Sequence, residues 1–226
     1  MLDKPHYAGH RKRLRDRFLK SGGVALPDYE MLELVLFMAQ PRSDVKPVAK
    51  ILLKQFGSYA GVITADEKEL KKVAGVGDVA VAALKIIRDA AIRLSQDEIV
   101  GQPILSSWQA LLDYCRSAMG REKKEQFRVF FLNRKNVLIA DELQQIGTVD
   151  HTPVYPREVV KRALDLGATA IIMAHNHPSG DPTPSKGDIT MTKEVMDAGQ
   201  KLGIAVHDHI IVSRNGTSSF KSLGLL

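Results

Sequence analysis

Two histidines and one aspartate in this chain have the spacing of metal ligands. His175 and His177 are separated by one residue, and Asp188 follows after a proline-rich loop. In an extended backbone, residues two apart project to the same side, so both imidazoles can face one ion. Asp188 can supply a third ligand, and water can complete the tetrahedral coordination of one Zn²⁺ per chain. A position left to water is typical of a catalytic zinc rather than a structural one.

A buried strand and a helix are expected to position these ligands. The apolar run 169–174 predicts a strand that ends at His175, where an exposed loop begins. Ser185 and Asp188 have the spacing of a helix start, in which the serine caps the first turn. The alternative interpretation is an ordinary helix start with hydrogen-bonded histidines beside it. That alternative accounts for Ser185 and Asp188 but gives no reason for the His-x-His pair.

The same residues resemble a known family. His175-x-His177, seven residues, Ser185, two residues and Asp188 match the JAMM motif of MPN-type zinc metalloproteases. The longer run from His175 to Ser185 is similar to the RadC-like family of bacterial proteins, and shorter strings extend the likeness over nearly the whole chain. The resemblance implies an MPN (JAMM)-type α/β sandwich with cytidine-deaminase-like layering. It also implies a metallopeptidase-like or isopeptidase-like activity on an unknown protein or peptide substrate.

A zinc hydrolase also needs a general base and a group that stabilises the oxyanion. A carboxylate beside the metal can take the proton that an attacking water loses. The resemblance places this glutamate at the start of an early strand, which favours Glu125, although residues 121–125 could equally be a solvated charge run. Ser185 can donate its hydroxyl hydrogen to the oxyanion. Spacing leaves other carboxylates open, with Glu142 next in preference, then Glu122, Asp141, Asp150 and Glu158.

A second His-x-His pair, His207 and His209, repeats the spacing of the first. No suitably placed third ligand follows it, so we do not predict a metal site there. We expect His209 to pack or to form a hydrogen bond near the metal loop.

Composition excludes several other classes of protein. The 226 residues suffice for one large or two small domains. The single cysteine, Cys115, excludes a disulfide framework, a cysteine-rich zinc module and the cysteine ligand pair of nucleobase deaminases. The charged amino terminus contains no long apolar run, so we expect a cytoplasmic protein without a membrane segment.

The first half of the chain predicts helices and turns, with two features that could contact DNA. The net charge is +6, and a basic amphipathic run between residues 10 and 20 offers Arg11, Arg13, Arg15 and Arg17 to phosphates. Gly75 and Gly77 form a helix-hairpin-helix-like turn, in which backbone N–H groups can approach a phosphate. The alternatives are a solvated helix face and a simple turn between helices, and Asp78 puts a negative charge at this position.

The chain is therefore predicted to contain two domains. Residues 1–98 form an all-helical domain, and residues 97–105 resemble a linker. Residues 104–226 form the MPN/JAMM zinc domain, in which helices alternate with strands and cover both faces of a sheet. The first hypothesis is a zinc-dependent hydrolase of amide or isopeptide bonds. The second is a DNA-associated repair or recombination accessory protein, whose helical half binds nucleic acid and whose zinc domain is a docking module.

Overall fold

Helices make up the described part of the first half of the chain. The computed structural model describes residues 9–147 and 154–226, and the chain divides into two units, Met1–Ala90 and Ala91–Leu226. The helices up to the division are α1 (His10–Ser21), α2 (Asp28–Ala39), α3 (Lys46–Phe56), α4 (Tyr59–Thr64), α5 (Glu67–Lys71) and α6 (Asp78–Asp97), which contains the division. Among the described residues of this half no strand is present, as predicted.

The apolar content of α2 explains why the helical unit has a core of its own. Leu32, Val35 and Leu36 are buried on this helix and pack with residues of α3 and α6 that lie in the same unit. α3 ends at Gly57, whose φ of 83° lies in the left-handed region that favours glycine.

Strands begin only in the second unit. Its further elements are α7 (Trp108–Met119), β1 (Gln126–Leu132), β2 (Leu138–Ile146), α8 (Pro156–Asp165), β3 (Ala170–Asn176), α9 (Lys186–Gln200), β4 (Ala205–Val212) and β5 (Thr217–Ser219). Within the described residues the strands form one sheet in the order β2-β1-β3-β4-β5. β3 pairs with β4 in parallel, and the other neighbours are antiparallel.

Side chains that alternate along the strands build a core on each face of this sheet. Phe130 and Leu132 of β1 point to the face covered by α7, where Leu111 and Met119 are fully buried. The neighbouring residues of β1 point to the opposite face, where they pack against residues of α8 and α9, among them Val160 and Val195. The fold of this unit is thus mixed α/β, with helices on both sides of the sheet. The comparison with cytidine-deaminase layering stays a prediction.

Residues 97–105, which resemble a linker, contribute to the core of the second unit. Ile99 and Ile104 are fully buried in the cluster beneath α7. Across residues 9–147 and 154–226, none of the helices combines the length and the apolarity needed to cross a membrane.

Candidate metal centre

The strand β3 brings the first histidine to the site from inside the protein. All seven of its residues are buried, because it lies between β1 and β4 and is covered on both faces. His175 is paired with Phe127 of β1, and their rings stack with centroids 6.5 Å apart. His177 follows directly after the strand, and its backbone N–H donates to the Val212 carbonyl at 2.9 Å. The extended backbone is therefore maintained through both histidines.

The first turn of α9 brings the carboxylate. Ser185 is the N-cap, and its Oγ accepts a hydrogen bond from the Asp188 backbone N–H at 3.1 Å. Asp188 Oδ2 in turn accepts one from the Ser185 backbone N–H at 2.7 Å. This reciprocal capping box fixes the rotamer of Asp188. The helix-start interpretation of these residues is thus confirmed. The same capped turn holds the Asp188 side chain next to the histidines.

The three side chains converge. Each of His175, His177 and Asp188 offers one ligand atom, and these atoms lie within 4.8 Å of one another. The two Nε2 atoms are 2.9 Å apart, Asp188 Oδ1 lies 3.4 Å from His175 Nε2, and Asp188 Oδ2 lies 3.5 Å from His177 Nε2. The side chain of His175 is 1% exposed, whereas those of His177 and Asp188 are 18% and 15% exposed. The cluster is therefore closed on the protein side and accessible on the other.

The electrostatics of the cluster favour a cation. Burial alone would raise the pKa of the Asp188 carboxyl, but the facing rings of His175 and His177 together lower it, so the carboxylate stays charged. The nearby Asp188 carboxylate raises the pKa of His177, although burial opposes this effect. The Asp181 carbonyl and the charge of Glu125 also raise the pKa of His177. The site thus attracts positive charge to the point where the three side chains meet.

His209 lies directly behind His175, as expected for a residue near the metal loop. Its Nε2 is 2.8 Å from His175 Nδ1, and its Nδ1 is 2.6 Å from the Thr192 hydroxyl. Burial, followed by the influence of His175, lowers the pKa of His209 well below its usual value. The sequence gives no signal for Thr192, which lies one helical turn after Asp188 on α9.

A β-bulge separates the second histidine pair. Ile171 is paired with Val206, whereas Ile172 is paired with Asp208, so His207 is the extra residue of β4. His207 then lines the same small cavity as Asp208, and its Nε2 donates a hydrogen bond to Asn136 Oδ1 at 2.7 Å. His209 faces the opposite core. The two rings therefore cannot share an ion, although their spacing matches that of the first pair.

Asn176, between the two histidines, holds the segment that carries Glu125. Its Oδ1 accepts a hydrogen bond from the Gln126 backbone N–H at 2.8 Å. Its Nδ2 donates to the carbonyls of Glu122 at 3.3 Å and Lys124 at 3.1 Å. Glu125 directly precedes β1, two residues before Phe127, and its charge acts on His177.

The other predicted bases have different surroundings. Glu142 is bound by the Arg162 guanidinium at 2.6 Å. Asp141 pairs with Arg128 at 2.6 Å and accepts a hydrogen bond from the Tyr114 hydroxyl. Glu158 is exposed and pairs with Arg157, and Asp150 lies outside the described residues. The backbone carbonyl of Glu122 accepts the hydrogen bond from Asn176. Glu125 is the carboxylate of this set whose charge acts on His177.

The residues predicted to contact nucleic acid lie in the helical unit, where several have intramolecular partners. Arg11 donates to the carbonyls of Gln40, at 2.8 Å, and Ser43, and Arg17 pairs with Glu30. Arg15 lines an apolar cavity, and Arg13 lies near Gly9. Gly75 has a φ of 87°, and an added Cβ would lie 3.0 Å from Val48, so close packing accounts for this glycine; nothing lies within 4 Å of a Cβ at Gly77. Binding of DNA stays a prediction.

Comparison with known proteins identifies the family. A model of the RadC-like JAB domain matches residues 105–225, a range that contains His175, His177 and Asp188. The chain is 57% identical over 213 residues to a UPF0758 protein of Rhodobacter capsulatus, an alignment that covers 94% of this chain and 100% of the relative. This chain belongs to the RadC-like family. The RadC-like JAB domain thus coincides with the α/β part of the second unit.

Proposed function

We propose that this protein is a zinc-dependent hydrolase of peptide or isopeptide bonds, of the JAMM type. The observation that carries the proposal is the convergence of two imidazole nitrogens and a carboxylate at the end of a rigid, fully buried strand. One side of the cluster stays accessible, as a substrate and an attacking water require.

The donor set and its dimensions fit zinc. Imidazole nitrogen and carboxylate oxygen are common zinc ligands, and three protein ligands with one open position are typical of catalytic sites. Two nitrogens bound at about 2.0–2.1 Å in a tetrahedral arrangement lie roughly 3.3 Å apart. The separations of 2.9, 3.4 and 3.5 Å bracket that value. His177 donates from Nδ1 to the Asp181 carbonyl at 2.8 Å, which leaves its Nε2 lone pair directed to the cluster.

Zinc bound by these residues would polarise the substrate carbonyl and promote the ionisation of water. Glu125, whose charge acts on His177, would take the proton from the attacking water and pass it to the leaving amine. Ser185 holds its acceptor lone pair toward the Asp188 N–H, so its hydroxyl hydrogen is available to an oxyanion. The N-terminal end of α9 adds a positive partial charge at the same place.

Metal analysis tests the metal site. We expect about one zinc per chain in the purified protein, and loss of that zinc in His175→Ala, His177→Ala and Asp188→Ala. His207→Ala is the matched control, because it removes a histidine with the same spacing that lies on the other side of β4. Elemental analysis should include iron and manganese, since two histidines and one carboxylate also suit iron. A full zinc load in a variant that lacks all three ligands would contradict the proposal.

Activity on a panel of peptides and isopeptide-linked conjugates tests the reaction. Glu125→Gln should retain zinc and lower kcat by about 10²- to 10⁴-fold, because the amide cannot accept the proton. Glu142→Gln serves as its control, because Glu142 is engaged by Arg162. Equal activity of Glu125→Gln and wild type would exclude Glu125 as the base.

A further inference from the structure

A buried chain of hydrogen bonds connects two of the metal ligands behind the site. It runs from His175 Nδ1 to His209 Nε2 at 2.8 Å, from His209 Nδ1 to Thr192 Oγ1 at 2.6 Å, and from Thr192 Oγ1 to the Asp188 carbonyl at 2.6 Å. The side chains of His175, Thr192 and His209 are buried. Water therefore does not compete for these hydrogen bonds, so in each of them a donor must face an acceptor.

The direction of every bond follows from the carbonyl at the far end. A backbone carbonyl has no hydrogen to give, so the Thr192 hydroxyl must donate its single hydrogen to Asp188 O. Toward His209 the same hydroxyl can act only as an acceptor, which places the ring hydrogen of His209 on Nδ1. A neutral imidazole carries one such hydrogen, so His209 Nε2 accepts, and His175 donates to it from Nδ1. The Nε2 atom of His175 is then left with a lone pair.

The opposite direction would disable the ligand. If Thr192 donated to His209, the hydrogen of His209 would move to Nε2, and His175 Nδ1 would become an acceptor. His175 Nε2 would then carry a hydrogen pointing at the position of the metal. The Thr192 hydroxyl and the Asp188 carbonyl would also face each other at 2.6 Å without a hydrogen between them.

We propose that Thr192 and His209 are positioning residues, which fix the tautomer of His175 so that its Nε2 lone pair faces the metal. This inference rests on the proposed metal site. The two ligands acquire the same tautomer by different means: His177 through the Asp181 carbonyl of its own loop, and His175 through two side chains from α9 and β4. The resulting pair of lone pairs, 2.9 Å apart, repel each other unless a cation lies between them.

Two substitutions at one position separate the hydroxyl from the methyl group. Thr192→Val keeps the shape of the side chain and removes the hydroxyl, whereas Thr192→Ser keeps the hydroxyl and removes the methyl. Zinc affinity is measured by competition with a chelator, and thermal unfolding verifies that both variants fold. We expect Thr192→Val to weaken zinc binding by about 10- to 100-fold, the range for groups that orient metal ligands, and Thr192→Ser to stay close to wild type.

NMR of the ring nitrogens provides a second readout that needs no activity. Long-range ¹H–¹⁵N spectra assign the protonated nitrogen of each histidine. We expect the hydrogen of His209 on Nδ1 in wild type and Thr192→Ser, both without metal and with zinc, and redistribution of this hydrogen in Thr192→Val. A hydrogen on Nε2 of His209 in wild type would overturn the inference.

The outcomes distinguish this inference from the proposed function. Equal loss of zinc affinity in Thr192→Val and Thr192→Ser would assign the effect to packing of the methyl group and overturn the role of the hydroxyl. A wild-type protein that binds no zinc would overturn the proposed function. The direction of the hydrogen bonds would then still be decided by the His209 tautomer in the metal-free protein.

Discussion

Replacing Asn176 by alanine should loosen the segment before β1 without removing a metal ligand. The substitution deletes three hydrogen bonds of 2.8, 3.1 and 3.3 Å from a side chain that is buried at the end of β3. A typical hydrogen bond contributes about 0.5–1.5 kcal/mol net, and a buried group left without a partner costs about 1–3 kcal/mol. Because the carbonyls of Glu122 and Lys124 lie near the surface and can bind water, we expect a total loss of roughly 2–4 kcal/mol.

Urea unfolding of the second unit measures this loss. Trp108 is the single tryptophan of the chain and lies in α7, so its fluorescence reports on this unit. With a dependence of about 2 kcal/mol per molar urea, the middle of the typical range, the midpoint should fall by roughly 1–2 M. Amide hydrogen exchange gives the local signal: the Gln126 N–H loses its acceptor in Asn176→Ala and keeps one in Asn176→Asp.

Asn133→Ala is the matched control. The Asn133 side chain accepts from the backbone N–H groups of Lys135 and Val137, in the turn at the opposite end of β1. Asn133→Ala should lower the free energy of unfolding and leave the hydrogen exchange of the Gln126 N–H unchanged. The zinc content should survive in both alanine variants. A loss below about 1 kcal/mol in Asn176→Ala, or unchanged protection of Gln126, would refute the assignment of Asn176 as the anchor of this segment.

Three further substitutions test other parts of the second unit. Asp141→Ala leaves the buried Arg128 guanidinium without its carboxylate, which should lower the free energy of unfolding in urea by about 3–5 kcal/mol. The zinc content should stay unchanged, and a loss below about 1 kcal/mol would contradict the importance of the pair. Gly180→Ala places a side chain at a φ of 92° and should cost about 1–3 kcal/mol; an unchanged melting temperature would exclude strain there. The hydrogen bond from Arg162 lowers the pKa of Glu142, so its stabilisation is present above about pH 4.5 and is lost as pH falls through the lowered pKa. Arg162→Gln should abolish that part of the acid sensitivity, and an identical pH profile would show that the pair contributes nothing.

Local signals in the sequence predicted much of the second unit. The predicted strand before the loop is observed as β3 because the run 170–174 is continuously apolar, and α9 begins where the capping residues Ser185 and Asp188 indicate. The His175-x-His177 pair was informative for the same reason, since its geometry depends only on an extended backbone and a neighbouring helix start.

Contacts between distant segments could not be predicted in this way. The bulge at His207 depends on how β4 pairs with β3, and it separates two rings whose spacing predicts that they share a face. Thr192 and Asn176 have ordinary residue types for a helix and a strand end, and their roles arise from partners 17 residues away in one case and 50 in the other. The pairing of Asp141 with Arg128 and of Glu142 with Arg162 likewise joins segments that spacing alone does not relate.

The reciprocal cap at Ser185 and Asp188 imposes different tolerances on the two parts of the motif. The proline-containing stretch between His177 and Ser185 is held by its carbonyls: that of Asp181 accepts from His177 Nδ1, and that of Gly180 accepts from Ser213 and Asn215. A change in its length would act through these contacts and leave the direction of the Asp188 side chain on α9 unchanged. Between Ser185 and Asp188 an inserted residue would turn the carboxylate by about 100° around the helix axis, away from the imidazoles. An inserted residue before the serine would thus disturb the orientation of one imidazole, whereas an inserted residue after it would take the carboxylate away from both.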